Sequence, residues 1–263
     1  MKKFLVIGNP IDHTLSPKLH NFWIKKNNIS AIYNKKKLEE NELENLISEV
    51  KEKKISGANV TVPFKKSIIP FLDSLTLEAQ ETQSVNTIYL EKDKIMGHNT
   101  DIGGFETSIY KSNLDLINKK VLILGAGGVV PSIIFALTKM KVSEIFLSNR
   151  TKEKAEELGT TFKNIKIIRW GEVIDFDMII NATSLGLKEE DKLNLEFPLN
   201  CENKLFYDVI YNPKETNFLK TGKKLGGIAI NGKLMFVYQA FLAFNIWHKL
   251  KPSIDEEVLK LLD

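Results

Sequence analysis

The chain has 263 residues, 43% of them hydrophobic, enough for one large domain or two smaller ones with separate cores. Its net charge of +4 comes from lysines interleaved with glutamates, as in Lys51-Glu52-Lys53-Lys54, which argues against nucleic acid and suits an anionic small molecule. Cys201 alone excludes an internal disulfide, His13, His20, His98 and His248 show no zinc-like spacing, so no metal is expected, and no apolar run nears the roughly 20 residues of a membrane span, so a cytoplasmic protein is expected.

Phe4 to Ile7 is a short apolar strand, and Pro17 to Lys26 carries Leu19, Phe22 and Trp23 at helical spacing. The polar loop between them puts Thr14 and Ser16 two apart at a helix start. Hydroxyls and free backbone donors there can hold a carboxylate; equally, Ser16 is an ordinary N-cap with Pro17 in the first helical position. Ala31 to Asn34 suits a second strand, and Glu42 to Lys53 an amphipathic helix with Leu43, Leu46, Ile47 and Val50 inward.

Next comes Gly57-Ala-Asn-Val-Thr-Val-Pro-Phe-Lys65. Val60 and Val62 alternate with Asn59 and Thr61, so one strand face can bury while the other offers an amide and a hydroxyl. Pro63 ends the ladder and leaves Lys65 where a helix would start, either as a chemical group or as a solvated surface lysine. Alternating strands and helices predict a parallel, helix-covered sheet. Leu75 to Gln83 reads as helix, Val85 to Leu90 and Ile95 to Gly97 as a hairpin leading into His98-Asn99-Thr100-Asp101, and Gly103-Gly104 as a hinge between domains.

A second pattern begins near Asn118. Val121 to Leu124 is a fully apolar strand followed by Gly125-Ala-Gly127-Gly128 and a helical run, Ile133 to Leu137, the strand, glycine turn and helix of a dinucleotide site. Val130 stands where the usual fingerprint has its third glycine. After the next strand, Glu144 to Ser148, Asn149-Arg150-Thr151 occupies the place where an acidic residue marks NAD. Arg150 favours the 2'-phosphate of NADP, and Lys154 four residues later is expected on the same helix face. Ile165 to Ile168, Met178 to Ile180 and Leu205 to Ile210 are further strands, the second ending in the polar turn Asn181-Ala-Thr183-Ser-Leu-Gly186. Residues 187–203 read as a surface loop with a poor helix, Ala229 to Gly232 closes the sheet, and Leu234 to Leu250 is a long helix with Gln239 as its odd polar member.

Taken together, Gly8-Asn-Pro-Ile with Ser16-Pro17 and His20-Asn21, Gly57 to Lys65, Val85-Asn86-Thr87, Asn99-Thr100-Asp101, the glycine turn, Asn149-Arg150-Thr151, Asn181 to Ser184, Asp208 with Tyr211-Asn-Pro213, and Val237-Tyr-Gln-Ala240 resemble the shikimate dehydrogenase family in order along nearly the whole chain. The resemblance implies a two-domain α/β protein: an N-terminal α/β substrate-binding catalytic domain, residues 1–101 plus 233–263, and a Rossmann-like NADP-binding domain, residues 102–232. It implies NADPH-dependent reversible reduction of 3-dehydroshikimate to shikimate in aromatic amino-acid biosynthesis, with Lys65 and Asp101 as catalytic pair. Thr14 and Ser16 then hold the substrate carboxylate, and Thr61, Asn86, Tyr211 and Gln239 contact substrate. Gly125, Gly127, Gly128, Asn149, Arg150, Thr151, Lys154, Thr183 and Gly232 fall at cofactor positions. A homodimer is compatible with this reading.

Three departures from the family pattern bear on specificity. Thr14 replaces a serine, Lys154 an arginine, and Val129-Val130-Pro131 small residues and an arginine. A quinate/shikimate dehydrogenase of broader choice, a non-catalytic sensor of NADP or shikimate, and a folate-linked dehydrogenase of similar plan are the alternatives.

Overall fold

The computed structural model of the chain describes residues 1–193 and 195–263. Among them the chain forms two compact units, Met1–Gly104 with Val237–Asp263, and Phe105–Phe236. The first contains β1 (Lys2–Gly8), α1 (Ser16–Lys26), β2 (Ala31–Lys37), α2 (Leu43–Lys51), β3 (Gly57–Val60), β4 (Ser74–Leu75), α3 (Leu77–Thr82), β5 (Thr87–Glu91) and β6 (Lys94–His98). The chain leaves this unit within α4 (Asp101–Lys111). Gly103 and Gly104, read from the sequence as a hinge, lie inside that helix, and the unit boundary falls directly after Gly104.

The sheet of the first unit has the order β2-β1-β3-β5-β6-β4. Alternating helices and strands predict a parallel sheet, and β1 does pair parallel with β2 and β3. The hairpin changes this: β5 runs antiparallel to both β3 and β6, around a turn in which Lys92 and Asp93 take positive φ, as a two-residue hairpin loop requires. β1 is buried on both faces. Leu5 and Ile7 meet Leu43, Leu46, Ile47 and Val50 of α2, while Phe4 packs on Trp247 with ring centroids 4.9 Å apart. β2 is an edge strand whose outer half, Asn34 to Lys37, is exposed, and its lysines discourage pairing with another chain.

The second unit holds β7 (Lys120–Leu124), α5 (Val130–Lys139), β8 (Glu144–Ser148), α6 (Lys152–Thr161), β9 (Ile165–Ile168), β10 (Met178–Asn181), β11 (Leu205–Asp208), α7 (Asn217–Lys224) and β12 (Ile228–Ile230). All neighbours pair in parallel in the order β12-β11-β10-β7-β8-β9. Counted from β7 this is the doubly wound order 3-2-1-4-5-6, which reverses between β7 and β10. Those two strands are the apolar ones because both their faces are covered: Val121 to Leu124 and Met178 to Ile180 are fully buried.

Where a helix would cover one face, irregular chain does so. Residues 187–203, apart from residue 194, which lies outside the described residues, form no helix, yet they are more than a surface loop. Leu193, Leu195 and Phe197 pack on the cluster of Phe206 and Phe218, and Cys201 is fully buried there, where burial pushes its thiol up.

The last elements, α8 (Lys233–His248) and α9 (Glu256–Leu261), return the chain to the first unit from Val237 onward. Trp247 Nε1 donates to Ile88 O at 3.0 Å, Trp23 Nε1 to Ser253 O at 3.1 Å, and Asp255 caps α9 by accepting from Val258 N at 3.1 Å. His20 sits fully buried in this aromatic layer, stacked on Tyr33 at 4.1 Å. Burial, with a smaller contribution from His248, holds its pKa down to about 3, so the ring is neutral. No helix among the described residues is long and apolar enough to cross a membrane.

Candidate active site

Lys65 lies in the turn after β3, where its carbonyl accepts from Val85 N at 2.8 Å. It is a buried lysine, only 8% exposed, and its Nζ meets Asp101 Oδ2 at 2.5 Å. Asp101 opens α4, where the positive end of the helix favours a carboxylate. Its backbone N–H donates to Asn99 Oδ1 at 3.0 Å, and its Oδ1 accepts from Asn86 Nδ2 at 2.9 Å. Both carboxylate oxygens are thereby engaged, while one of the three N–H donors that an ammonium carries points at Asp101. Two charges held this far from water persist only where geometry and hydrogen bonds repay their desolvation.

The pair rests on a buried polar network. Asn86 Nδ2 also donates to Thr100 Oγ1 at 2.9 Å, and Asn86 Oδ1 accepts from Thr100 N at 2.7 Å and Thr87 Oγ1 at 3.0 Å. Asn59 Nδ2 in turn donates to Thr87 Oγ1 at 3.1 Å, and Asn59 Oδ1 accepts from Tyr33 OH at 2.6 Å. This corrects the period-2 reading of the Gly57 stretch. All four residues of β3 are buried, so Asn59 faces no ligand, and Val62, expected to bury beside Val60, is 54% exposed because the chain turns after Val60. Asn59, Thr87, Asn99 and Thr100 are the supports that residue-by-residue reasoning missed. Their signal was polar side chains inside apolar strand sequence, which burial obliges to find partners.

At the start of α1, the N-cap is Leu15 and no side chain caps the helix, so the N-cap role expected of Ser16 is not observed. Ser16 is the first helical residue, buried, with its Oγ 3.2 Å from Thr14 Oγ1, which also accepts from Ser16 N at 3.3 Å. The two hydroxyls lie side by side at a helix start, suited to an anion. Thr61 follows β3 and Gln239 lies in α8; both are half-buried.

In the second unit the glycine turn follows β7 at the sheet's reversal point. Gly125 has φ of +107°, and a Cβ there would come 2.8 Å from Ala182 O, so only glycine fits. Gly127 is different: a Cβ would meet nothing nearer than Ala182 O at 3.9 Å, so the space beside its backbone is open to a ligand. No side chain caps α5; Val130 N donates to Gly127 O at 3.0 Å, and Pro131 supplies no donor. Asn149 Nδ2 donates to Thr151 O at 2.6 Å, and Thr151 is the N-cap of α6. Arg150 and Lys154 are both exposed, but Arg150 precedes the helix, so the expected shared helix face does not exist; the two cations flank its first turn instead. These donors and cations match a dinucleotide with an added phosphate. Thr183 Oγ1 donates to Asn181 Oδ1 at 2.7 Å in the loop after β10, Tyr211 stacks on Phe236 at 4.3 Å, and Gly232 follows β12. No group of three or more His, Cys, Asp or Glu residues is placed to hold a metal among the described residues.

A doubly wound nucleotide-type unit together with a mixed-sheet unit that holds a buried lysine–carboxylate pair defines a class of two-unit dehydrogenases, and comparison gives the family. Residues 6–88 match the model of the shikimate dehydrogenase substrate binding domain, and residues 108–195 that of shikimate / quinate 5-dehydrogenase. A shikimate dehydrogenase (NADP(+)) of Pelagibacter ubique is 61% identical over 100% of this chain and 99% of its own. The crystal structure of shikimate dehydrogenase from Aquifex aeolicus superposes with a TM-score of 0.90 at 36% identity, covering 100% of this chain and 97% of that one. Shikimate 5-dehydrogenase from Thermus thermophilus, in complex with NADP(H) and shikimate, gives 0.89 at 28% identity, covering 100% and 98%. The chain belongs to the shikimate dehydrogenase family.

Proposed function

We propose that this protein catalyses the reversible, NADPH-dependent reduction of 3-dehydroshikimate to shikimate in aromatic amino-acid biosynthesis. The observation that carries the reading is the buried Lys65–Asp101 pair at 2.5 Å, set in a hydrogen-bonded frame in the same unit as the Thr14 and Ser16 hydroxyls. Family membership supports it: the Pelagibacter relative is named for NADP(+), and the Thermus structure holds NADP(H) and shikimate.

The ring ketone must gain a hydride at carbon and a proton at oxygen. NADPH, when bound, supplies the hydride. Lys65 gives the proton of its ammonium group to the carbonyl oxygen as negative charge develops there. Asp101 holds that ammonium in place through Oδ2 and is itself held by Asn86. In the reverse direction, the neutral amine takes the proton from the alcohol.

Thr14 and Ser16 orient the substrate carboxylate, and Thr61, Gln239 and Tyr211 contact substrate. Asn86 is assigned a substrate hydroxyl as well; because both its N–H groups already donate to Thr100 and Asp101, that contact shares a bonded amide. Gly125, Gly127 and Gly128 hold the pyrophosphate, Asn149, Arg150, Thr151 and Lys154 the 2'-phosphate end, and Thr183 and Gly232 complete the cofactor site. Residues 1–101 with 233–263 then form the catalytic domain and 102–232 the NADP domain. A cytoplasmic location and a homodimer belong to the same proposal, and sedimentation tests the second.

The test is steady-state reduction of NADP(+) or NAD(+) with shikimate or quinate. Shikimate with NADP(+) is the expected best pair. Equal rates with quinate would support the broader dehydrogenase that the second family model names, and no turnover with any pair would leave the sensor.

A further inference from the structure

Asp208 is fully buried at the end of β11, and no described cation pairs with it. An unpaired buried carboxylate is costly, and burial does push this one up to about 6 against the bonds that favour its charge. It keeps three donors. Oδ1 accepts from Asn181 Nδ2 at 3.1 Å and from Ile210 N at 3.0 Å, and Oδ2 from Thr216 Oγ1 at 2.6 Å.

Each bond leads to a different segment. Asn181, also fully buried, uses its remaining groups to shape the loop after β10: Nδ2 donates to Leu185 O at 3.0 Å, and Oδ1 accepts from Thr183 N at 3.1 Å and Thr183 Oγ1 at 2.7 Å. Ile210 opens the segment after β11 that carries Tyr211, and its carbonyl accepts from Gly232 N at 3.1 Å. That segment touches Gly232 so closely that a Cβ there would lie 2.1 Å from Val209 O. Thr216 is the N-cap of α7, accepting from Leu219 N at 3.4 Å. One carboxylate therefore ties together the ends of β10 and β11 and the start of α7.

We infer that Asp208 is a positioning residue of the cofactor site, holding the Thr183 loop and the Val209 to Gly232 contact in the geometry that receives NADP(H). The inference rests on the reading that this unit binds NADP(H). Charge suits the hub because a carboxylate accepts every donor aimed at it, whereas an amide would turn a donor on one of them.

The test compares Asp208→Ala and Asp208→Asn in the full chain, titrating NADPH and, separately, shikimate without cofactor. Asp208→Ala is expected to raise the NADPH dissociation constant about tenfold, as for loss of a buried hub of charge-assisted bonds, and to weaken shikimate binding much less, since of the substrate contacts only Tyr211 lies on the segment Asp208 holds, whereas Lys65, Asp101, Thr14 and Ser16 are in the other unit. Asp208→Asn keeps the Oδ1 acceptor but turns an N–H toward Thr216, and is expected to recover part of that loss. If Asp208→Ala does not fold, Thr216→Val removes the bond to Oδ2 together with the α7 cap while keeping both bonds to Oδ1, and should raise the constant roughly threefold. Unchanged NADPH binding in these variants, or equal weakening of both ligands, overturns the inference. Failure of the wild-type protein to bind NADPH overturns instead the reading beneath it.

Discussion

The Lys65–Asp101 pair makes a prediction about folding that is separate from its chemistry. Their side chains are 10% and 9% exposed, so each charge depends on the other and on Asn86 for solvation. Asp101→Ala strands an ammonium in that setting and leaves an Asn86 N–H without its acceptor. Breaking one side of a buried pair costs on the order of 3–5 kcal/mol. Removing both charges, in Lys65→Met with Asp101→Ala, leaves no ion to desolvate and should cost less than Asp101→Ala alone, with a coupling of about 2–3 kcal/mol. Urea unfolding followed by tryptophan fluorescence reads this directly, because Trp23 and Trp247 are buried in the same unit as the pair. Losses below about 1 kcal/mol that simply add would mean the pair behaves like a solvent-screened surface bridge, and the argument from burial would fail.

Three more outcomes follow from other parts of the molecule. Arg150→Ala should raise the Michaelis constant for NADPH far more than that for NADH; equal changes in steady-state assays would mean that Arg150 does not read the 2'-phosphate. Gly125→Ala places a side chain at φ of +107°, 2.8 Å from Ala182 O, and should destabilise the protein by roughly 1–3 kcal/mol and weaken NADPH binding, as calorimetry and titration can show. Acid should also act through His20. Its folded pKa of about 3 and that of His248, about 4, lie below the ordinary value, so the unfolded chain binds protons that the folded one refuses. Their stabilising effect is complete above about pH 6.5 and is lost as pH falls toward those values, while the raised Asp208 pKa works in the opposite direction between about 4 and 6. The difference between wild type and His20→Phe isolates one group: between pH 6 and 4 the wild type should lose about 1.4 kcal/mol more per pH unit. Parallel stability curves would show that His20 is not held neutral by burial.

Much of the cofactor unit is legible in the sequence because its signals are local. The apolar run to Leu124, the glycine turn and Arg150 after the next strand all lie within one strand–helix–strand repeat, and the structure places the glycine turn at the reversal point of the sheet and Arg150 after the neighbouring strand β8. The catalytic unit is less legible. Lys65 alone reads as a surface lysine, and only Asp101, 36 residues later, makes it a buried partner. The alternation of Val60 and Val62 misleads because pattern cannot show that the chain turns between them. The Arg150–Lys154 spacing misleads likewise, since α6 starts only at Lys152. The sequence gives Asp208 no role, because its partners Asn181 and Thr216 become neighbours only when β10, β11 and α7 meet. Cys201, in a polar segment, gave no sign that residues 187–203 would cover a core.

The central claim is that Lys65 moves the proton at the substrate oxygen. The most direct measurement is the turnover of Lys65→Ala with shikimate and NADP(+), alongside the NADPH dissociation constant of the same variant. Loss of a general acid and base predicts a fall in turnover of about 10²-fold or more with NADPH binding little changed, whereas turnover within a few-fold of wild type would remove Lys65 from the mechanism.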